Sequence, residues 1–404
     1  MKFITLEPAE FTKFAKKHPD KSFFQTEEIA KLRQKSGWTP YYFAVEKSGK
    51  IIAAAMAVAK PTFLGKSTYY IPGGPLLDYE DKPLVDFFFK HLKNYAKSHN
   101  GYLIHIEPYY ELIERDRDGE IVEGGFNHQK AVQNLINLGF QETTPDNPKY
   151  LFVLDLKNQE KTKLFASFKQ NTRNLINRTE RKGVKIRELK REELPKFKQI
   201  TEETSERRHF SDKTLDYYET MYDLFAKQGQ VKFIVAEVEL EDNTLQGRFG
   251  GYDREREERE PRDRPPLGTR TTRRVDGRER LRSEQGIISS TAPIAAAMFI
   301  TYGDEVIYLF SGSDEKYMKE YNAQYAIQWH MIEYALKNKF KRYNFYGIQG
   351  LPDPNSKGYG IYKFKKGFTT PENGRVIELL GAFELPTSPI FYHLHQILSK
   401  IRHH

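Results

Sequence analysis

No cysteine occurs in the 404 residues, which excludes disulfides, thiolate nucleophiles and Cys-ligated metals and leaves the redox compartment open. The 11 histidines are scattered, and spacing assembles from them neither a metal cluster nor, with serine and aspartate, a hydrolytic triad. No metal or organic cofactor is expected. Phosphate-cradling glycine patterns are missing as well: there is no GxxxxGK(S/T), and no GxGxxG follows a strand, so triphosphate and dinucleotide chemistry lack support. No apolar run approaches the roughly 18 residues a membrane span needs, and Met1 to Lys21 lacks the apolar centre of a secretory signal. The expected location is the cytoplasm.

What is present is enough chain for two hydrophobic cores. Apolar residues make up 38% and aromatics 14%, with 25 Tyr and 28 Phe, far from the composition of a disordered chain. The 64 Lys+Arg against 55 Asp+Glu give a net charge of +9. That balance suits RNA, anionic lipid or nucleotide-linked partners, and equally a basic protein that binds no polyanion.

From Lys2 to about Tyr150, β-rich runs alternate with amphipathic helical segments: FITLEP, a helix near Pro8 to Lys17, YYFAVEK, IIAAAMAV, STYYIPGG, a helix near Lys82 to Ser98, and GYLIHIEP. A helix near His128 to Leu138 then stops at Gly139. A second round runs through YLFVLDL, a long basic helical segment, a helix near Asp212 to Lys227, VKFIVAEVEL, IAAAMFITYG, EVIYLFSGS, a helix near Ala323 to Lys337, and RYNFYGI. The order predicts an α/β class, of the α+β kind with mixed sheets, built as two copies of one unit. Gly247 to Gly286 breaks the pattern, holding 12 of the 25 arginines and none of the 39 lysines. Without apolar periodicity it is expected to be disordered, as an RNA-binding arm or a solvated loop.

Four segments could carry chemistry. FASFKQNTRNLINRTERKGVKIRE sets Lys169, Arg173, Arg178, Arg181 and Lys182 on and after one predicted helix, whose Phe165, Phe168, Leu175 and Ile176 form the buried face; such a surface either neutralises RNA phosphates or is simply solvated. YYIPGGPLLDY turns sharply at Gly73-Gly74, where backbone could approach a ligand. GYGIYKFKKGF interleaves Lys363, Lys365 and Lys366 with aromatics and reads as a strand, either an edge protected by lysines or one aiming a lysine at an ester oxyanion. TSPIFYHLHQILSKIRHH is a basic amphipathic helix with Ile390, Leu394, Ile397 and Leu398 on one side, suited to a membrane surface or to packing on the first domain.

Taken in order, FFQTEEIAKLRQKSGW, YYIPGGPLLDY, HIEPYY, FKQNTRNLINRTERKGVKI, ETSERRHFSDKTLDYYETM, YLFSGSDEKYMKEYNAQYAIQW and GYGIYKFKKGF resemble the Fem family of peptidoglycan bridge-forming peptidyltransferases. The resemblance implies two GNAT-like acyltransferase domains: residues 1–152 completed by 378–404, and 153–246 with 287–377, with 247–286 at the position of the family's helical arm. It implies transfer of an amino acid from aminoacyl-tRNA to the lysine side-chain amine of a lipid-linked or UDP-linked muropeptide precursor, with peripheral membrane contact. By position, Lys365 matches the lysine that stabilises the tetrahedral intermediate, with Phe364 beside it. Arg207, with Arg208 adjacent, resembles the arginine on the precursor's phosphates; Arg33 with Lys35 stands where the family has a phosphate-binding lysine; Glu107 replaces a family aspartate; and Tyr308 resembles part of the acceptor pocket. Relatives carry a Lys/Glu/Leu-rich helical pair where 247–286 stands, so two compensating frame shifts in a Lys/Glu-rich gene segment are the expected origin of this stretch. An acyl-CoA-dependent N-acyltransferase and a non-enzymatic RNA-binding protein are the competing readings, and the absence of a pyrophosphate loop weighs against the first.

Overall fold

The computed structural model describes residues 1–240 and 290–402, so the Arg-rich 247–286, expected to be disordered, lies outside the described residues. Two mixed sheets form among those described. The first runs, in spatial order, β1 (Lys2–Thr5), β2 (Thr39–Lys47), β3 (Lys50–Phe63), β4 (Lys66–Gly73), β5 (Gly101–Pro108), β15 (Ala382–Pro386) and β7 (Gln141–Thr143). The second runs β6 (Glu111–Glu114), β14 (Gly374–Leu379), β8 (Tyr150–Asp155), β13 (Arg342–Ile348), β12 (Glu305–Ser313), β11 (Ser290–Tyr302), β10 (Val231–Leu240) and β9 (Lys185–Glu188). In each, an antiparallel run leads into one parallel pair, β4 with β5 and β12 with β13.

The central strands show why the sheets stack. Ala53-Ala54-Ala55-Met56 in β3 and Ala295-Ala296-Ala297-Met298 in β11 are buried on both faces. The two-residue period sends Ala54, Met56, Ala296 and Met298 into one core shared between the sheets, and the intervening alanines into separate outer cores. Small side chains at the centre let elements pack closely on either side. The shared core holds the helices Glu27–Lys35, Leu194–Arg208 and Leu215–Phe225. The outer core of the first sheet is closed by Lys82–Ser98 and Gln129–Asn137. That of the second is closed by Lys161–Ser167, Gln170–Arg181, Ala323–Lys337 and Tyr359–Lys366.

Three expectations need correction. GYGIYKFKKGF is the helix Tyr359–Lys366, not a strand: its buried residues Tyr362 and Lys365 are a helical interval apart, and Lys363, Lys365 and Lys366 in the last turn suit the negative end of the helix dipole. The long basic segment is two helices, broken where Phe168 takes an extended backbone and turns its ring onto Trp329, 5.4 Å away. The boundary drawn at 152/153 falls inside β8, that at 377/378 inside β14, and β6 pairs in the second sheet. Both halves therefore share backbone pairing around β6, β8 and β14.

Candidate active site

The parallel pair of the second sheet is short. β12 and β13 pair only from Glu305 to Ile307 against Arg342 to Asn344, and β13 also slips against β8 between Asn344 and Gly347. The strands part there, leaving an opening between the shared core and the outer face. Tyr346 stands at the slip with φ +64°, a left-handed conformation that costs a non-glycine residue about 1–3 kcal/mol. Its N–H donates to Asn344 Oδ1 at 2.8 Å. Its carbonyl, and that of Gly347, accept from Lys365 Nζ at 3.1 and 2.5 Å.

On the shared-core side, a cavity of about 250 Å³ opens between the sheets, lined among others by Arg33, Asn147, Lys213, Tyr217, Phe310 and Tyr346. Arg33 is delivered by the helix Glu27–Lys35, which starts on Thr26, whose hydroxyl accepts from Ile29 N–H, and buries Ile29, Ala30 and Leu32. Its guanidinium lies 5.5 Å from the Tyr70 ring, and Lys213 Nζ lies 5.6 Å from the Tyr217 ring. Neither cation forms an ion pair among the described residues; both lie against aromatic walls, and the Asp146 carboxylate lines the same cavity. Two candidates sit elsewhere. Lys35 donates to Thr220 Oγ1 at 2.8 Å, tying its helix to Leu215–Phe225, and the Arg207 guanidinium donates to the Ser313 carbonyl at 3.2 and 3.3 Å. The Gly73-Gly74 turn is filled by the chain itself: added Cβ atoms would meet Ser22 Oγ and the Gln25 amide, both at 2.7 Å.

Glu107, at the end of β5, is buried beside this cavity. It accepts from His105 Nε2 at 3.1 Å, from Asp146 N–H at 2.7 Å, and from Asn147 Nδ2. Burial alone would raise its pKa, but these hydrogen bonds outweigh it and hold the carboxyl below the usual range. His105 is also desolvated, yet Glu107 on one nitrogen and Glu384, 3.4 Å away, on the other raise it to about 9. Tyr392 O–H completes the line by donating to Glu384 at 2.8 Å. His105, Glu107 and Asp146 form a donor set a divalent metal could use. However, an imidazolium with both nitrogens engaged by carboxylates offers no lone pair. Glu107 is thus an ionised, tethered carboxylate, better placed to orient an incoming ammonium than to strip its proton.

The outer face carries the remaining candidates. Lys365 is buried with no carboxylate partner among the described residues, and desolvation lowers its pKa to about 7. Two of the three directions its ammonium can donate in are taken by carbonyls, leaving one. Phe364 packs on Tyr325 at 4.8 Å. Tyr308 stacks on Phe299 at 5.4 Å and donates to Ser311 Oγ, and burial pushes its pKa up to about 12. It belongs to the outer core, while Leu309 and Phe310 face the cavity. On the same side, Gln170–Arg181 begins where Lys169 N–H donates to the Gly367 carbonyl at 3.0 Å. Lys169, Arg178 and Arg181 are exposed. Arg173 is spent on the carbonyls of Ala166 and Phe168, and Lys182 pairs with Glu320 at 2.9 Å.

A model of the FemAB family matches residues 6–400. The chain belongs to the FemAB family. The Aminoacyltransferase FemA of Staphylococcus aureus strain MRSA252 is 29% identical over 426 residues, covering 100% of this chain and 99% of that protein. A crystal structure of FemX superposes with a TM-score of 0.73 at 19% identity, over 98% of this chain and 99% of that one. A tandem GNAT protein from the clavulanic acid biosynthesis pathway superposes with a TM-score of 0.51 at 10% identity, over 96% and 99%. The family and the paired GNAT-like fold read from the ordered motifs are borne out.

In this FemAB chain the candidates divide between two faces. Arg33 and Glu107 lie on the shared-core side, Lys365, Phe364, Tyr308 and the basic helix on the other, with the unpaired ends of β12 and β13 between them. Lys213, Tyr217, Asn147, His105 and Tyr346 were missed. Lys213 and Tyr217 sit inside ETSERRHFSDKTLDYYETM, where the arginines drew attention; a lysine four residues before a tyrosine at a helix start was the available signal.

Proposed function

We propose that this FemAB aminoacyltransferase moves an amino acid from the ester of aminoacyl-tRNA onto the lysine side-chain amine of a peptidoglycan precursor, building the interpeptide bridge. The acceptor's diphosphate, lipid-linked or UDP-linked, rests on Arg33 and Lys213. The tRNA end lies along Lys169, Arg178 and Arg181, whose exposed charges neutralise phosphates without reading sequence. Donor and acceptor thus approach from opposite faces of the second sheet and meet at the β12–β13 opening.

The acceptor's ammonium first gives one proton to solvent, and the neutral lysine amine attacks the ester carbonyl. A C–N bond forms, the carbonyl oxygen becomes an oxyanion, and Lys365 donates its free N–H to it. Collapse breaks the C–O bond, and the proton lost by the amine leaves on the ribose hydroxyl of the tRNA. An activated ester and a positioned amine need no enzyme-bound acyl intermediate, consistent with the absence of cysteine. The observation that carries this reading is the placement of Lys365, desolvated and held on the Tyr346 and Gly347 carbonyls of β13 just past the end of its pairing with β12.

The test is incubation of the purified protein with labelled aminoacyl-tRNAs and, in parallel, lipid-linked and UDP-linked lysine pentapeptide. Label on the lysine side chain is expected; tRNA binding with no label on either acceptor would favour an RNA-binding protein instead.

A further inference from the structure

A second cavity, of about 350 Å³, opens where the segment Pro19 to Phe23 crosses the second sheet. Phe23 lines both this cavity and the one at Arg33, and Tyr109 lines both this one and a small one beside Glu107. None of the residues assigned above to donor or acceptor lines it.

The sheet side of this cavity carries charge that is paired but not used up. Arg375 grips Glu111 through two nitrogens, at 2.7 and 3.3 Å. Arg342 meets Glu305 at 2.6 Å and Glu111 at 3.3 Å, both through Nη1, which leaves Nε and Nη2 without an acceptor among the described residues. Lys341 pairs with Asp304 at 3.0 Å. Lys21 and Lys157 line the same space and form no ion pair among the described residues; Asp155 lies beside them, its Oδ1 accepting from Lys157 N–H at 2.8 Å.

Across from Arg342, the segment Pro19 to Phe23 supplies Asp20. Among the described residues its one ion-pair contact is His18, 3.8 Å away. The Nδ1 of that ring accepts from Asp20 N–H at 3.2 Å, so it carries a lone pair, in keeping with burial holding His18 to about 4. Burial and the charge of Glu111 push the Asp20 carboxyl up to about 6, His128 offsetting them only in part and Asp78 adding to them. A carboxylate so placed gains from an ammonium that comes to it. Five cations and five carboxylates line the cavity in all, so it favours neither a lone anion nor a lone cation and suits a molecule that carries both charges.

We propose that this cavity binds a free amino acid, a ligand distinct from donor and acceptor, with the ammonium on Asp20 and the carboxylate on Arg342 and Lys157. The site stands apart from the transfer reaction and is read without tRNA or precursor. Hydrogen bonds join it to Lys365: Glu305 accepts from Tyr109 and Asn344, Asn344 accepts from Tyr346 N–H, and the Tyr346 carbonyl holds Lys365. A ligand that ties Asp20 to Arg342 pins the start of that chain.

The test is isothermal titration calorimetry of the full-length protein with glycine, alanine, serine, lysine and glutamate, and with acetate and methylamine as probes of one charge each. At least one amino acid is expected to bind at one site per chain, about tenfold or more tighter than either single-charge probe, and Asp20→Asn and Lys157→Gln should each weaken it about tenfold. Both side chains reach solvent, so both variants should fold. Hydrogen exchange at Tyr346 N–H should slow in the parent protein saturated with that amino acid. No binding by any of the five, acetate binding as tightly as they do, or binding that both variants retain would overturn the inference. Exchange at Tyr346 that is unchanged with the site filled would overturn its connection to Lys365.

Discussion

Lys365 reaches across from the helix Tyr359–Lys366 to donate to the carbonyl of Tyr346 at 3.1 Å, and Tyr346 is itself held at φ +64°. A buried cation and a strained residue therefore fix one another at the opening between β12 and β13. The cation faces backbone dipoles rather than a carboxylate, which leaves its charge available to a developing oxyanion.

Stability against pH should carry the signature of that burial. Lys365 titrates at about 7 in the fold against 10.5 when unfolded, so between those values the unfolded chain binds the extra proton. Stability then falls as pH drops from about 10.5 to 7 and is level below. A Lys365→Met variant should lack this contribution, a difference in slope of about 1.4 kcal/mol per pH unit. Denaturant titrations at pH 7 and 9 check it; equal slopes in both proteins would mean the lysine is not desolvated.

His105 should act in the opposite sense. Its pKa is raised from 6.5 to about 9 by Glu107 and Glu384, so its stabilisation is full below about 6.5 and fades as pH rises through 9. His105→Gln should cost most near pH 6 and little near pH 10. It should also raise the acceptor KM, because Glu107 loses one of its three donors. A constant cost across that range would show that His105 acts only by filling space.

Neutralising Arg33 or Lys213 should weaken the acceptor and leave the donor alone. Each of Arg33→Gln and Lys213→Gln is expected to raise acceptor KM about tenfold, the loss of one charge-assisted contact. Arg207→Gln should do less, since its guanidinium is occupied by the Ser313 carbonyl. The comparison is made at fixed, saturating aminoacyl-tRNA; a larger effect at Arg207 would reassign the phosphate site.

The basic helix divides in the same way. Lys169→Ala, Arg178→Ala and Arg181→Ala should weaken tRNA binding alike for every tRNA and each lower the salt dependence by about one counterion. Lys182→Ala should matter less, because Glu320 already neutralises it. Filter binding across a salt series reads both quantities.

Local pattern carried much of the architecture. Lys82–Ser98, Gly101–Pro108, Val231–Leu240 and Arg342–Ile348 were legible because each presents an uninterrupted period or β-rich run. The helix at Tyr359 was not: in a stretch of eight residues, aromatics and lysines alternate well enough to imitate a strand, and only the burial of both Tyr362 and Lys365 decides. The site was legible in part. Motif order pointed to Lys365, Arg33 and Glu107, but nothing local in RYNFYGI marks the left-handed Tyr346. That Lys213 rather than Arg207 joins Arg33 follows only from how Leu215–Phe225 packs against Glu27–Lys35. His105 looked like one more residue of a buried strand until Glu384, from β15, came beside it.

The most direct measurement is single-turnover transfer of a labelled amino acid from aminoacyl-tRNA to a lysine pentapeptide precursor by Lys365→Met, with donor and acceptor binding measured on the same preparation. The account predicts both ligands bound near parental affinity and the rate reduced about 100- to 1,000-fold, the size expected for losing one oxyanion donor. A parental rate would contradict it, and would move the chemistry away from the β12–β13 opening.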